Sequence, residues 1–229
     1  MKKLSAIFIL ILSTMTAFSG CVKIGEKSAS LVTVYGIMAV LAIVMLLGYF
    51  CVVKKKEAWL TVLFSSVAVV NAGYFCLASS KTLEEALLAN RISYLGSAFL
   101  PLSMLMIMLD LVKIKYKKWI QWILIFIGTF VFVIAASPGY LDIYYKEVSL
   151  VTIGGASALD KVYGPLHFVY LLYLLFCFGA MIGVAVYAAI KQKMDSTARI
   201  IVFISAFSVN IGVWFIEQIV KIDFELLSV

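Results

Sequence analysis

The stretch LVTVYGIMAVLAIVMLLGYFCVV, Leu31 to Val53, followed at once by Lys54-Lys55-Lys56, decides how this chain is read. It carries no charged side chain over a length that covers the hydrocarbon core of a bilayer, which takes about 20 apolar residues in a helix. Lipid offers no partner for free backbone N–H and C=O groups, so such a run has to be helical. Five more runs of this kind follow: Ala58 to Ser79, Ile92 to Val112, Trp119 to Ala136, Leu166 to Ile190 and Ile200 to Val220. Short polar connectors separate them, apart from one longer segment, Ser137 to Gly164. The expected fold is an all-α polytopic bundle of six transmembrane helices, filling residues 31–229.

The composition agrees. The chain is 64% hydrophobic and 14% charged, where a soluble domain carries about a quarter charged residues. The net charge of +7 taken alone fits a nucleic-acid binder, but the lysines lie between apolar runs. There they read as topology signals, so membrane lipids and not nucleic acid are the expected partners. No soluble stretch is long enough for a kinase domain, and no Walker loop, HExxH or GxSxG is present, so catalysis by this chain is not expected. Cys21, Cys51, Cys76 and Cys177 show no CxxC or Cys/His spacing, and His167 is the only histidine. Neither a metal site nor a cofactor is expected.

Orientation follows from the basic residues. The connectors Lys54–Glu57, Lys113–Lys118 and Lys191–Arg199 are short and lysine-rich, which places them on the cytoplasmic side of the membrane. The alternate connectors mix Glu84, Glu85, Asp142, Glu147 and Asp160 with Lys81, Arg91, Lys146 and Lys161, and face outward. Trp59, Trp119 and Trp122 stand beside the basic loops, at the level where interfacial indoles collect. By this count Val229 ends outside, so a cytoplasmic output needs one more crossing; two readings follow, a protein that works without a fused output domain or an input half truncated before that crossing.

The first 20 residues form a signal-like segment: Met1-Lys2-Lys3, the apolar core Leu4 to Leu12, then small residues before Cys21. Two readings stand. In one, the segment is cleaved, and Ser19-Gly20-Cys21 resembles the end of a lipoprotein box, making Cys21 a lipidation candidate. In the other, it stays as a signal anchor and Cys21 is an ordinary outer residue.

Ser137-Pro138-Gly139 breaks the fourth run. Tyr144 to Ile153 is then β-rich, Gly154-Gly155 offers a turn, and Ala158 to Tyr163 returns. A small extracytoplasmic β-hairpin within residues 137–164 is expected over the outer mouth, with Tyr140, Tyr144, Tyr145 and Tyr163 forming an amphipathic surface. Polar residues inside membrane runs are functional hypotheses because leaving them unpaired is costly. Arg91, His167 and Glu217 fall at a similar outer depth and, with Tyr163, form a candidate outer pocket for an unidentified small ligand. The competing reading is a structural Arg91–Glu217 ion pair. Asn71 and Asn210 lie deeper and are expected to hydrogen-bond between helices. Pro101 removes one helical hydrogen bond and is expected to kink the third helix. Gly179 and Gly183 form a small-xxx-small pair suited to close helix contact. Without a midplane charge series, a stand-alone transporter or permease is the alternative function, and a lipid-acting enzyme the weakest reading.

Arg91-Ile92-Ser93-Tyr94-Leu95-Gly96, with Phe99 and Pro101 after it, resembles the third helix of the N-terminal seven-helix sensor region of bacterial histidine kinases. Tyr163-Gly164-Pro165-Leu166, entering the next helix after an outer hairpin, resembles a second hallmark of that region. The end of the chain, Asn210 to Val229, is similar to its sixth helix and the outer turn behind it. The resemblance implies a membrane sensory input module joined to an output domain, working as a homodimer or through a separate cytoplasmic output protein. The seventh helix and the output domain of that pattern do not appear in this sequence.

Overall fold

The structure, a computed structural model, describes residues 31–190. It contains five long helices and one two-stranded antiparallel sheet: α1 (Leu31–Val52), α2 (Ala58–Ser79), α3 (Leu83–Leu111), α4 (Lys118–Ala135), β1 (Tyr145–Ile153), β2 (Ala156–Tyr163) and α5 (His167–Ile190). All five helices are long and apolar enough to cross a membrane. The sixth apolar run, Ile200 to Val220, and with it Asn210 and Glu217, lies outside the described residues, as do Cys21 and the signal-like segment.

Four of the helices agree with their apolar runs to within a residue or so at either end. The third does not. Hydropathy places its start at Ile92 and leaves Ser80 to Asn90 as a connector, whereas α3 begins at Leu83. The cause is local. Thr82 is the N-cap, its side chain accepting from the Glu85 N–H, while the Glu85 carboxylate accepts from the N–H groups of Thr82 and Lys81 at 3.2 and 2.8 Å. Such a capping box satisfies orphan amide groups of the first turn and starts a helix on polar residues.

α3 is the centre of the molecule. It touches α2, α4, α5 and both strands. Its first half presents Ala86, Ala89, Ser93 and Gly96, all buried. Small residues let two backbones approach, and dispersion and packing then hold helices that lipid does not drive together. A Cβ added at Gly73 of α2 would lie 2.5 Å from the Ser93 nitrogen, and one at Gly96 would lie 2.5 Å from the Ser66 carbonyl oxygen. The close-packing pair expected at Gly179 and Gly183 is not one among the described residues: both are exposed, with nothing within 4 Å of an added Cβ. Spacing alone does not say which face of a helix meets a neighbour.

Further along, α3 carries larger side chains. Leu102 and Met106 pack with Leu124 of α4, and Leu105 and Met108 with Met181 of α5. The helix runs unbroken through Pro101. Proline has no N–H for the Ser97 carbonyl, and at the next carbonyl, that of Ala98, the buried Tyr173 hydroxyl of α5 donates at 2.7 Å. Among the described residues, Asn71 bonds within its own helix: its Nδ2 donates to the Val67 carbonyl at 2.9 Å, the i−4 bond available to a short polar side chain.

α3 ends in a Schellman motif. The Ile114 N–H bonds the Leu109 carbonyl, the Lys113 N–H bonds the Asp110 carbonyl, and Lys113 takes the left-handed conformation with φ 56°. Glycine is the usual residue there, since a side chain costs roughly 1–2 kcal/mol in that region. At the other end of the bundle the hairpin lies across the helices. The Ser157 hydroxyl donates to the Ser80 carbonyl at 2.6 Å, and Gly154 at the tip approaches Leu31, the first residue of α1.

Gly73→Val and Gly96→Val are each expected to destabilise the protein by about 1–3 kcal/mol through overpacking against backbone. Gly179→Ala is expected to cost nothing. Thermal unfolding of the purified protein in detergent compares the three.

Candidate functional site

α3 carries Arg91, the last residue of its added turns, and Tyr94, one turn further on the same face, at the hairpin end. Arg91 Nε donates to the Ala136 carbonyl at 3.1 Å and Nη2 to the Pro138 carbonyl at 2.6 Å. Its guanidinium lies 4.3 Å from the centre of the Tyr140 ring, with Nη1 3.4 Å from the phenol oxygen. Arg91 therefore closes the C-terminus of α4, where the last carbonyls of a helix have no intrahelical donor and where positive charge is favoured by the dipole. Glu217, the partner considered from sequence, lies outside the described residues.

Tyr94 enters a cluster of rings. Its hydroxyl is 2.8 Å from that of Tyr145 and accepts from that of Tyr144 at 3.2 Å. Its ring meets Tyr144 and Tyr170 edge-on, at 5.4 and 5.3 Å between centroids, the arrangement aromatic quadrupoles favour. Tyr144 reaches His167 at 5.1 Å, and His167 stacks on Tyr163 at 3.8 Å with planes 16° apart. Lys161 Nζ sits 5.5 Å over the Tyr145 ring. Of the four tyrosines assigned from sequence to an amphipathic surface, Tyr140 and Tyr163 are exposed, but Tyr144 and Tyr145 are fully buried. A β-bulge accounts for part of this: the register slips between Tyr145 and Glu147, leaving Lys146 out of the ladder.

The hairpin is set by its turn. Gly154 and Gly155 have φ 55° and 78°, the two positive values a type I′ connection needs, and the strands pair from Ile153↔Ala156 outward. The second strand thus starts at Ala156, two residues before the position read from the sequence. At the exit, Tyr163-Gly164-Pro165 folds against the entering chain: the Gly164 N–H donates to the Tyr144 carbonyl and the Leu166 N–H to the Ile143 carbonyl, both at 2.8 Å. A Cβ on Gly164 would fall 2.6 Å from the Ile143 carbonyl oxygen, so glycine is required by close approach.

The site residues named from sequence divide accordingly. Tyr163 and His167 are brought together, His167 meets Tyr144, and Arg91 stands one turn from Tyr94 but ties to α4. Gly164 and Pro165 shape the turn that places Tyr163 and His167. Sequence reasoning gave Tyr94 and Tyr170 no place in the site, since a tyrosine inside an apolar run carries no signal that distinguishes packing from contact with a loop. Asn90 Nδ2, Ser137 Oγ and His167 Nδ1, all at this end, are buried without a hydrogen-bond partner among the described residues. Among the described residues no group of three His, Cys, Asp or Glu side chains is placed to hold a metal ion.

A family model described as the N-terminal 7TM region of histidine kinase matches residues 32–228. The chain belongs to that family. No curated protein and no solved structure matches it. In this member of the histidine kinase 7TM family, two of the three stretches that carried the resemblance share one cluster at the hairpin end, where Tyr94 and Leu166 pack on Tyr144 and Tyr145; the third, Asn210 to Val229, lies outside the described residues. The chain is accordingly a multi-pass membrane protein of a signal-transduction family.

Burial, and next to it the neighbouring Tyr145, push the Tyr144 hydroxyl well above the ordinary tyrosine range. An unfolded tyrosine ionises near pH 10. The folded state holds this proton where the unfolded state has lost it, so the contribution to stability is complete below about pH 10 and declines as pH rises above it. Stability measured from pH 8 to 11 is expected to fall less steeply in Tyr144→Phe than in the native protein. Tyr94→Phe removes the hydroxyl used by both Tyr144 and Tyr145 and is expected to cost about 1–3 kcal/mol, read as a lower melting temperature and faster proteolysis within 145–163.

Proposed function

We propose that this chain is a sensory input module of the bacterial cytoplasmic membrane, without catalysis of its own, with the hairpin end facing outward and the lysine-rich connectors inward. The observation that carries the reading is the way the hairpin is bonded into three helices at once: to α3 through Tyr94, to α2 through Ser157, and to α5 through the Tyr163–His167 stack. A stimulus that shifts the hairpin has a direct mechanical route into the bundle. The sidedness rests on the alternation of basic and mixed connectors.

The stimulus acts at the hairpin end, on the stacked pair Tyr163 and His167, with Arg91 held beside Tyr140 at the end of α4 and Glu217 as a further candidate from the sixth apolar run. The unpartnered Asn90, Ser137 and His167 atoms supply hydrogen-bonding capacity for a small extracytoplasmic ligand. The response leaves through α3, which among the described helices contacts both the hairpin and the helices α2, α4 and α5. It is delivered to a cytoplasmic output protein or domain, in a homodimer as signalling by paired helices requires.

The test uses the full chain in lipid nanodiscs, with nitroxides on Cys51 and on Lys115→Cys and with Cys21 and Cys76 changed to serine. Tyr94→Phe, which uncouples the hairpin from α3, is expected to change the distance distribution between the two labels at the far end. An unchanged distribution, in a variant whose hairpin is shown by proteolysis to be loosened, would overturn the proposal.

A further inference from the structure

At the end of the bundle opposite the hairpin, two connectors form a single cationic face. Lys54, Lys55 and Lys56 join α1 to α2; Lys113, Lys115 and Lys117 join α3 to α4, and Lys118 opens α4. All seven are exposed. The two connectors are neighbours, because Trp59 in the first turn of α2 and Tyr116 of the second connector pack against the same buried cluster of Leu102, Met106 and Leu124. The acids nearby are Glu57 and Asp110, and Asp110 accepts from the Tyr116 hydroxyl at 2.9 Å.

Two further observations say what this face receives. Lys113 is the one non-glycine residue with positive φ among the described residues, at the position of a Schellman motif that favours glycine. A lysine kept there against its backbone preference points to use of its charge. Next, Trp119 and Trp122, 57% and 70% exposed, continue directly from the lysines into the stripe Phe126, Phe130 and Val133 on the same exposed face of α4. An occupant that satisfies both parts has an anionic head at the lysines and apolar chains along the stripe. An acidic protein surface meets only the first requirement.

We propose that this face is a docking site for an anionic phospholipid of the adjoining leaflet. Its headgroup phosphate lies against Lys113, Lys115, Lys117 and Lys118, and its chains lie along the α4 stripe. Indoles at headgroup depth and lysines beside them supply the two halves of the recognition. The site depends only on the helices crossing the bilayer and is independent of which end faces outward.

The experiment places the full chain, with Trp59→Phe and Trp214→Phe so that only Trp119 and Trp122 of its four tryptophans report, in nanodiscs of phosphatidylcholine containing phosphatidylglycerol. Fluorescence quenching is compared with the bromine label on one lipid and then on the other. Phosphatidylglycerol is expected to be preferred by about threefold or more at low salt, with the preference declining toward parity in about 0.5 M KCl. K113Q/K115Q/K117Q/K118Q is expected to abolish it. Lys113→Gly, which suits the φ of 56° and so stays folded, is expected to reduce the preference without lowering the melting temperature. Parity in the parent protein at low salt, or a preference untouched by both lysine variants, would overturn the proposal.

Discussion

The reciprocal bonds between Thr82 and Glu85 set where α3 begins, and the hairpin end depends on that starting point. Without them the segment from Leu83 to Asn90, interrupted by Glu84 and Glu85, has no defined helix start. With them, Arg91 and Tyr94 stand in regular helical succession on one face. One side chain then closes the end of α4 and the other receives the hydroxyls of Tyr144 and Tyr145. The close approach of α2 to α3 at Gly73 and Gly96 fixes this helix against its neighbour, so the capped end is held in position as well as formed.

Much of the fold was legible because the bilayer imposes a length and a composition on anything that crosses it. The run from Ala58 to Ser79 coincides with α2, and Gly154-Gly155 marks the hairpin turn, because both follow from single physical rules. Two kinds of information were not legible. The first is where a helix exceeds its apolar run: hydropathy is silent over Thr82 to Asn90, and only the Thr82–Glu85 spacing speaks there. The second is which face of a helix meets which partner. Gly179 and Gly183 satisfy the small-residue pattern, yet a Cβ added at either meets nothing within 4 Å among the described residues, while Gly73 and Gly96, on different helices, stand closest to a neighbouring backbone.

The candidate site divides along the same line. The Tyr163-Gly164-Pro165 element stands out in the sequence as a turn, and the structure gives the reason, the Ile143 carbonyl 2.6 Å from where a Cβ would be. Tyr144 and Tyr145 look alike in sequence to the exposed Tyr140, and only the bulge and the docking of the strand on Tyr94 separate them. Arg91 was legible as a costly polar group in an apolar setting, but not as the cap of another helix, since its acceptors are 45 and 47 residues away.

The contact between the hairpin tip and the start of α1 also bears on how the molecule is assembled. Leu31 enters the membrane early in synthesis, and Gly154, which approaches it, is made only after four helices have been threaded. The cover is therefore made after α1 to α4 and before α5, and it lands on the first helix described. A bundle in which α1 has inserted at the wrong depth or in the wrong direction offers no Leu31 for the tip to find. Seating of the hairpin tip thus depends on where the first of the described helices lies, 123 residues earlier in the chain.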